Sequence, residues 1–163
     1  MFTSTRFFYL AKPFIRPAAA TLKGPRGLFD TESNGLLNKA TKTHCIVVAD
    51  LDGDRVEEFG PNQIEQGLAR LSEFAYLAAH NICTFDLPLL WKLYGWKPAD
   101  GCTIVDTLVA SRLILPHILD LDIKASKMGD PSLGKLMGGH SLEAWGARFG
   151  TPKTGTDITD WSV

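Results

Sequence analysis

Two strand-like runs joined by an Asp-Gly turn confine the middle of this 163-residue chain to an antiparallel hairpin. The runs are His44–Asp50 and Arg55–Phe59, and Leu51-Asp52-Gly53-Asp54 lies between them. Four residues cannot carry a chain across a sheet into a parallel partner, and Asp-Gly suits the positive φ of a type I′ turn. Upstream, Gly27–Glu32 reads as another strand closed by the turn signal Ser33-Asn34-Gly35. The three together predict a β-meander.

The period then lengthens. Ile64, Leu68, Leu71 and Phe74 share one helical face, and Asn62 with Glu65 resembles a capping box. Ala75–Asn81 returns to strand. Asp86–Tyr94 is the next helix, with Pro88 in its first turn and Gly95 at its C-cap. Thr103–Asp106 is a short strand feeding a helix over 107–115 that Pro116 ends. Residues 117–139 carry five glycines and prolines on a weak pattern and are expected to form a long loop. Ser141 caps a helix over 142–149, Gly150 closes it, and residues 151–163 are expected to be irregular. This order predicts an α/β domain, a mixed sheet covered by helices.

Charge narrows the classes of partner. The formal net charge is −1, so a nucleic-acid partner must be held by local groups and not by a global positive field. Residues 1–26 differ, with five basic residues and no acid. They are read as a basic N-terminal extension ahead of a domain over 27–163. A transit peptide or a nucleic-acid-binding arm has the same composition. No run approaches the ~20 apolar residues of a membrane span. Cys45, Cys83 and Cys102 are odd in number and form no C-x-x-C pair, so free thiols in a cytoplasmic setting are expected. His44, His80, His117 and His140 lie too far apart for zinc-site spacing.

Three carboxylates carry the chemistry. Asp30 and Glu32 alternate in a strand and therefore project from one face. Like charges placed that way repel unless a cation lies between them, and oxygen ligands suit Mg²⁺ or Mn²⁺. Asp86 opens a helix, where the dipole favours a carboxylate. Read singly, the first pair is a solvated strand end and the second an ordinary cap.

Read together, the motifs carry a resemblance. Phe29-Asp30-Thr31-Glu32-x-Asn34-Gly35-Leu36-Leu37 resembles the first motif of the DnaQ-like (DEDD) 3′–5′ exonucleases, and His80-Asn81-x-x-x-Phe85-Asp86 resembles the second. Val105-Asp106-Thr107-Leu108 and His140-Ser141-Leu142-Glu143-Ala144-Trp145 resemble the lineage found in phage-type family A DNA polymerases. The resemblance implies an RNase H-like fold, a five-stranded mixed sheet flanked by helices. It implies that Asp30, Glu32 and Asp86 are catalytic and bind two divalent ions, Mg²⁺ or Mn²⁺. The substrate would be a single-stranded DNA 3′ end, degraded to nucleoside monophosphates in proofreading. Asn34, Leu36, Asn81 and Phe85 would bind or shape the site for the terminal nucleotide. A bacterial or phage-encoded cytoplasmic protein, with no membrane partner, is the implied setting.

The resemblance stops short of one motif. The family places a fourth carboxylate in a late Y-x-x-x-D or H-x-x-x-x-D helix, and no Tyr follows Tyr94 here. His117 to Asp122 has the second spacing but precedes the His140 motif, so it is rejected. Asp157 and Asp160 lack the tyrosine. The domain is therefore expected to be incomplete at its C-terminus and slow or inactive alone, with a polymerase domain or the missing segment as partner. The alternative is a catalytically inactive remnant that binds nucleic acid or a polymerase. Asp106 is read as a helix cap, Trp91, Trp96 and Trp145 as packing residues, and Lys124, Lys127 and Lys135 as a solvated loop face.

Overall fold

A computed structural model describes residues 23–130 and 133–151. The basic extension lies almost wholly outside these residues, as do Asp157 and Asp160. Five strands form one sheet in the order β3-β2-β1-β4-β5. β1 (Arg26–Ser33) pairs antiparallel with β2 (Thr43–Asp50), which pairs antiparallel with β3 (Arg55–Phe59). β4 (Tyr76–Ala79) and β5 (Thr103–Asp106) run parallel to β1. This is the mixed α/β, RNase H-like arrangement expected from the motifs.

The expected hairpin forms, with its left-handed residue one place later. Asp54, not Gly53, has φ 53°. Asp50 Oδ1 accepts from the backbone N–H of Asp52 at 3.0 Å and of Gly53 at 2.9 Å, a side-chain-closed turn that needs no type I′ backbone.

One face of β1 builds the core. Gly27, Phe29 and Thr31 are buried, while Arg26, Leu28, Asp30 and Glu32 face the other side. Phe29 packs with Ile46, Val48, Leu68, Leu71, Phe74 and Leu77. Gly27 is required by that packing, because a Cβ there would lie 2.9 Å from the Phe74 ring. α1 (Ile64–Leu71) covers this face beside β2 and β3. Its capping box does not form: Gln63 is the N-cap, without a side-chain cap bond, and its amide oxygen instead accepts from Gly60 N–H. α2 (Asp86–Tyr94) ends at Gly95, in the left-handed conformation its position predicts.

The C-terminal third departs from expectation. α3 (Thr107–Ile114) is followed by a ten-residue helix, α4 (Ile118–Lys127), where a loop was expected. α4 buries only Ile118 and Asp122, so its apolar signal is faint. What holds it is polar: Asp122 forms a buried ion pair with Arg148 of α5 (Leu142–Phe149) at 2.7 Å and accepts from Gly138 N–H. Asp122 is thereby a structural anchor, and His117 is exposed. Ser141 and Gly150 cap α5 as expected. Trp96 packs on the core and Trp145 stacks on Phe149, whereas Trp91 is exposed, contrary to its reading as a packing residue. No described helix is long and apolar enough to cross a membrane. Cys45, Cys83 and Cys102 carry free thiols.

Candidate active site

β1 runs past the end of β4. The parallel pairing ends at Leu28 with Ala78, so the β4-side edge of β1 is open beyond that point. The chain leaving β4 turns at Asn81, a non-glycine residue in the left-handed region at φ 67°, and returns as α2. Asp86, first residue of α2, meets the open edge of β1. The Thr31 hydroxyl donates to Asp86 Oδ1 at 2.6 Å. Thr31 sits between Asp30 and Glu32, which are exposed on the opposite side of the strand. Residues from two distant motifs thus gather at the carboxyl end of β1, the end where open α/β sheets bind ligands.

The electrostatics of Asp86 are unusual. It is 2% exposed, and burial pushes its pKa up to about 6. The Thr31 hydroxyl bond opposes that rise, and the charge of Asp30 adds to it. Charge repulsion of this kind between carboxylates is what a cation relieves. The donor chemistry, carboxylate oxygens without thiolate or imidazole, suits a hard divalent ion. The arrangement does not close around one ion: among the described residues no three His, Cys, Asp or Glu side chains are grouped to hold a metal.

The residues assigned by resemblance to substrate binding divide. Leu36 is 75% exposed beyond the end of β1, an apolar side chain without a core to enter. Phe85 is half-buried at the start of α2. Asn34 is engaged locally: its amide donates to Thr41 Oγ1 at 2.7 Å, and its oxygen accepts from the N–H groups of Thr41 and Lys42. It closes the β1–β2 loop, a role its place in the motif did not reveal. Asn81 shapes the turn, its side chain bonded to the Thr84 hydroxyl.

Two residues beside Asp30 were not singled out in the sequence. His80 and Thr107 line a shallow, mostly apolar cavity with Leu28, Asp30, Val47 and Leu142. His80 Nδ1 lies 3.0 Å from Thr107 Oγ1, and the Thr107 hydroxyl also donates to Ala79 O. His80 opens the second motif, which was its only sequence signal. Thr31 lies inside the first motif, but its bond to Asp86 had no signal, because that partner lies 55 residues away.

No family model matches the chain. The DNA-directed DNA polymerase of Enterobacteria phage T3 is 35% identical over 135 residues, 76% of this chain and 19% of that protein. The DNA-directed DNA polymerase of Escherichia phage T7 is 34% identical over 135 residues, with the same shares. The chain therefore spans about a fifth of the length of these relatives. Among solved structures, Brucella melitensis NrnC superposes with a TM-score of 0.52 at 15% identity, covering 90% of this chain and 63% of that one. A structure described as the apo form of the nuclease gives 0.51 at 16% identity, covering 86% and 59%. At such identities these two likenesses concern the fold. By sequence the chain belongs with the phage-type DNA polymerases, as a stretch of about a fifth of their length, and its fold is one it shares with the two nuclease structures.

Proposed function

We propose that the chain is a metal-dependent 3′–5′ exonuclease domain of the proofreading type, acting on single-stranded DNA 3′ ends beside a polymerase domain, in the cytoplasm of a phage-infected cell. The observation that carries this reading is the seating of Asp86 against Thr31, between Asp30 and Glu32 in sequence. Asp30 and Glu32, exposed on one side of β1, are the carboxylates a divalent ion would meet first, and Asp86, buried against Thr31, would be the third donor. Bound Mg²⁺ or Mn²⁺ would supply an acidified water and neutralise charge on the phosphodiester. The chain's own contribution is to hold Asp86 buried, where an unrelieved negative charge is disfavoured and a cation is welcome. Leu36 and Phe85 offer apolar surface to an unstacked terminal base, which needs no sequence preference. The released product would be a nucleoside monophosphate.

A second reading, a non-catalytic remnant that binds nucleic acid or a polymerase, draws support from the lack of a three-ligand metal group among the described residues. Digestion of a single strand labelled at its 3′ or 5′ end, with Mg²⁺ or Mn²⁺, separates the two. Stepwise mononucleotide release from the 3′ end that Asp30→Ala abolishes supports the exonuclease. Equal behaviour of wild type and Asp30→Ala rejects it.

A further inference from the structure

Asp106 was expected to cap α3, and it does: its Oδ1 accepts from Leu108 N–H at 3.0 Å and Val109 N–H at 3.3 Å. The same carboxylate reaches a second segment. Oδ1 accepts from Asn81 N–H at 3.1 Å, and Oδ2 accepts from Cys83 N–H at 3.2 Å. Four backbone donors from two elements thus converge on one side chain. Burial disfavours its charge, but the N–H groups of Cys83, Val109, Leu108 and Asn81 outweigh that and hold the carboxyl below its ordinary range.

The second pair of donors belongs to the turn that delivers Asp86. Asn81 and Cys83 flank Ile82, which is fully buried, so the turn is pinned from the core through Ile82 and from β5 through Asp106. The bonds from Thr84 N–H and Phe85 N–H to Asn81 O are internal to the turn. At its start His80 Nδ1 meets Thr107 Oγ1 of α3, so Asp106 holds the turn where that contact does not reach, at Asn81 and Cys83. The strained backbone of Asn81 persists only where its surroundings over-determine it.

We propose that Asp106 is a positioning residue for Asp86: one carboxylate caps α3 and clamps the β4–α2 turn, so that Asp86 meets Thr31. The role assigned to Asp86 rests on the exonuclease reading above.

Serine separates the two jobs. At an N-cap, Ser accepts from the N2 and N3 amides as Asp does, and its single oxygen takes the place of Oδ1, which Asn81 N–H also meets; it leaves Cys83 N–H, the partner of Oδ2, without its acceptor. Asp106→Ser, Asp106→Ala and wild type are compared by amide hydrogen exchange and by exonuclease rate on a single strand. In Asp106→Ser the amide of Cys83 exchanges at least tenfold faster, those of α3 stay within twofold of wild type, and kcat falls at least tenfold with KM little changed. Asp106→Ala loses protection in both segments. Exchange at Cys83 within twofold of wild type in Asp106→Ser overturns the clamp, and so does faster exchange with an unchanged rate. If wild type shows no Asp30-dependent activity, the exonuclease reading fails, and the exchange measurement decides alone whether Asp106 holds the turn.

Discussion

The Thr31 hydroxyl donates a 2.6 Å hydrogen bond to Asp86, joining the carboxyl-terminal half of β1 to the first residue of α2 across 55 positions of sequence. Removing the donor and keeping the shape isolates its contribution. Thr31→Val leaves a buried carboxylate oxygen without its partner, and such a loss costs about 1–3 kcal/mol. The expected result is a denaturation midpoint lowered accordingly at pH 7, an Asp86 pKa pushed above its value in the wild type, and recovery of both in Thr31→Ser. Urea melts and carboxyl-detected NMR titration measure them.

The raised pKa of Asp86 predicts a stability that depends on pH in an unusual sense. A carboxyl whose folded pKa, about 6, exceeds its ordinary 3.8 binds its proton more tightly when folded. Its favourable contribution is complete below pH 3.8 and is lost as pH rises through about 6. Asp86→Asn, which still accepts from Thr31, should therefore gain stability over wild type as pH climbs through that window. The gain at pH 7 is on the order of 3 kcal/mol. Melting curves at pH 4, 5, 6 and 7 test it, and a gain that shrinks toward neutral pH contradicts it.

Asp122 and Arg148 form the polar seam between α4 and α5, with side chains 5% and 9% exposed. Deleting one member of a buried pair strands the other, at about 3–5 kcal/mol. Asp122→Ala and Arg148→Ala should each lower stability by that order, while Asp122→Leu with Arg148→Met should cost less than the sum of the single changes. The pair is little screened, so raising salt should not remove the effect. A double-mutant cycle in urea at low and high salt provides the measurement.

Leu36 separates binding from folding. At 75% exposure it contributes little to the core, and Leu36→Ala should change stability by less than about 0.5 kcal/mol. On the exonuclease reading its loss removes apolar surface from the terminal base. The affinity for a single-stranded oligonucleotide should then drop several-fold, as followed by fluorescence anisotropy. Unchanged affinity removes Leu36 from the substrate site.

The parts of the fold that were readable along the chain are those set by neighbours. Asp50 to Asp54 make their turn from their own side chains and backbone, and Gly95 and Gly150 end helices because the left-handed conformation is open to glycine. The alternation of Asp30 and Glu32 needs nothing beyond the pleat of a strand. The capping box at Asn62 and Glu65 was misread because its motif allows more than one local solution, and Gln63 bonding back to Gly60 is another.

Residue order thus specified the meander, most helix ends and the two motifs, since each depends on interactions within a few residues. It read α4 wrongly as loop, and left open where Asn34 turns its amide and that Asp86 is buried against Thr31. Those outcomes depend on contacts such as Asp122 with Arg148 and Thr31 with Asp86, formed only when distant segments pack and water leaves. Desolvation is a property of the assembled structure, and it is desolvation that makes Asp86 an unusual carboxylate.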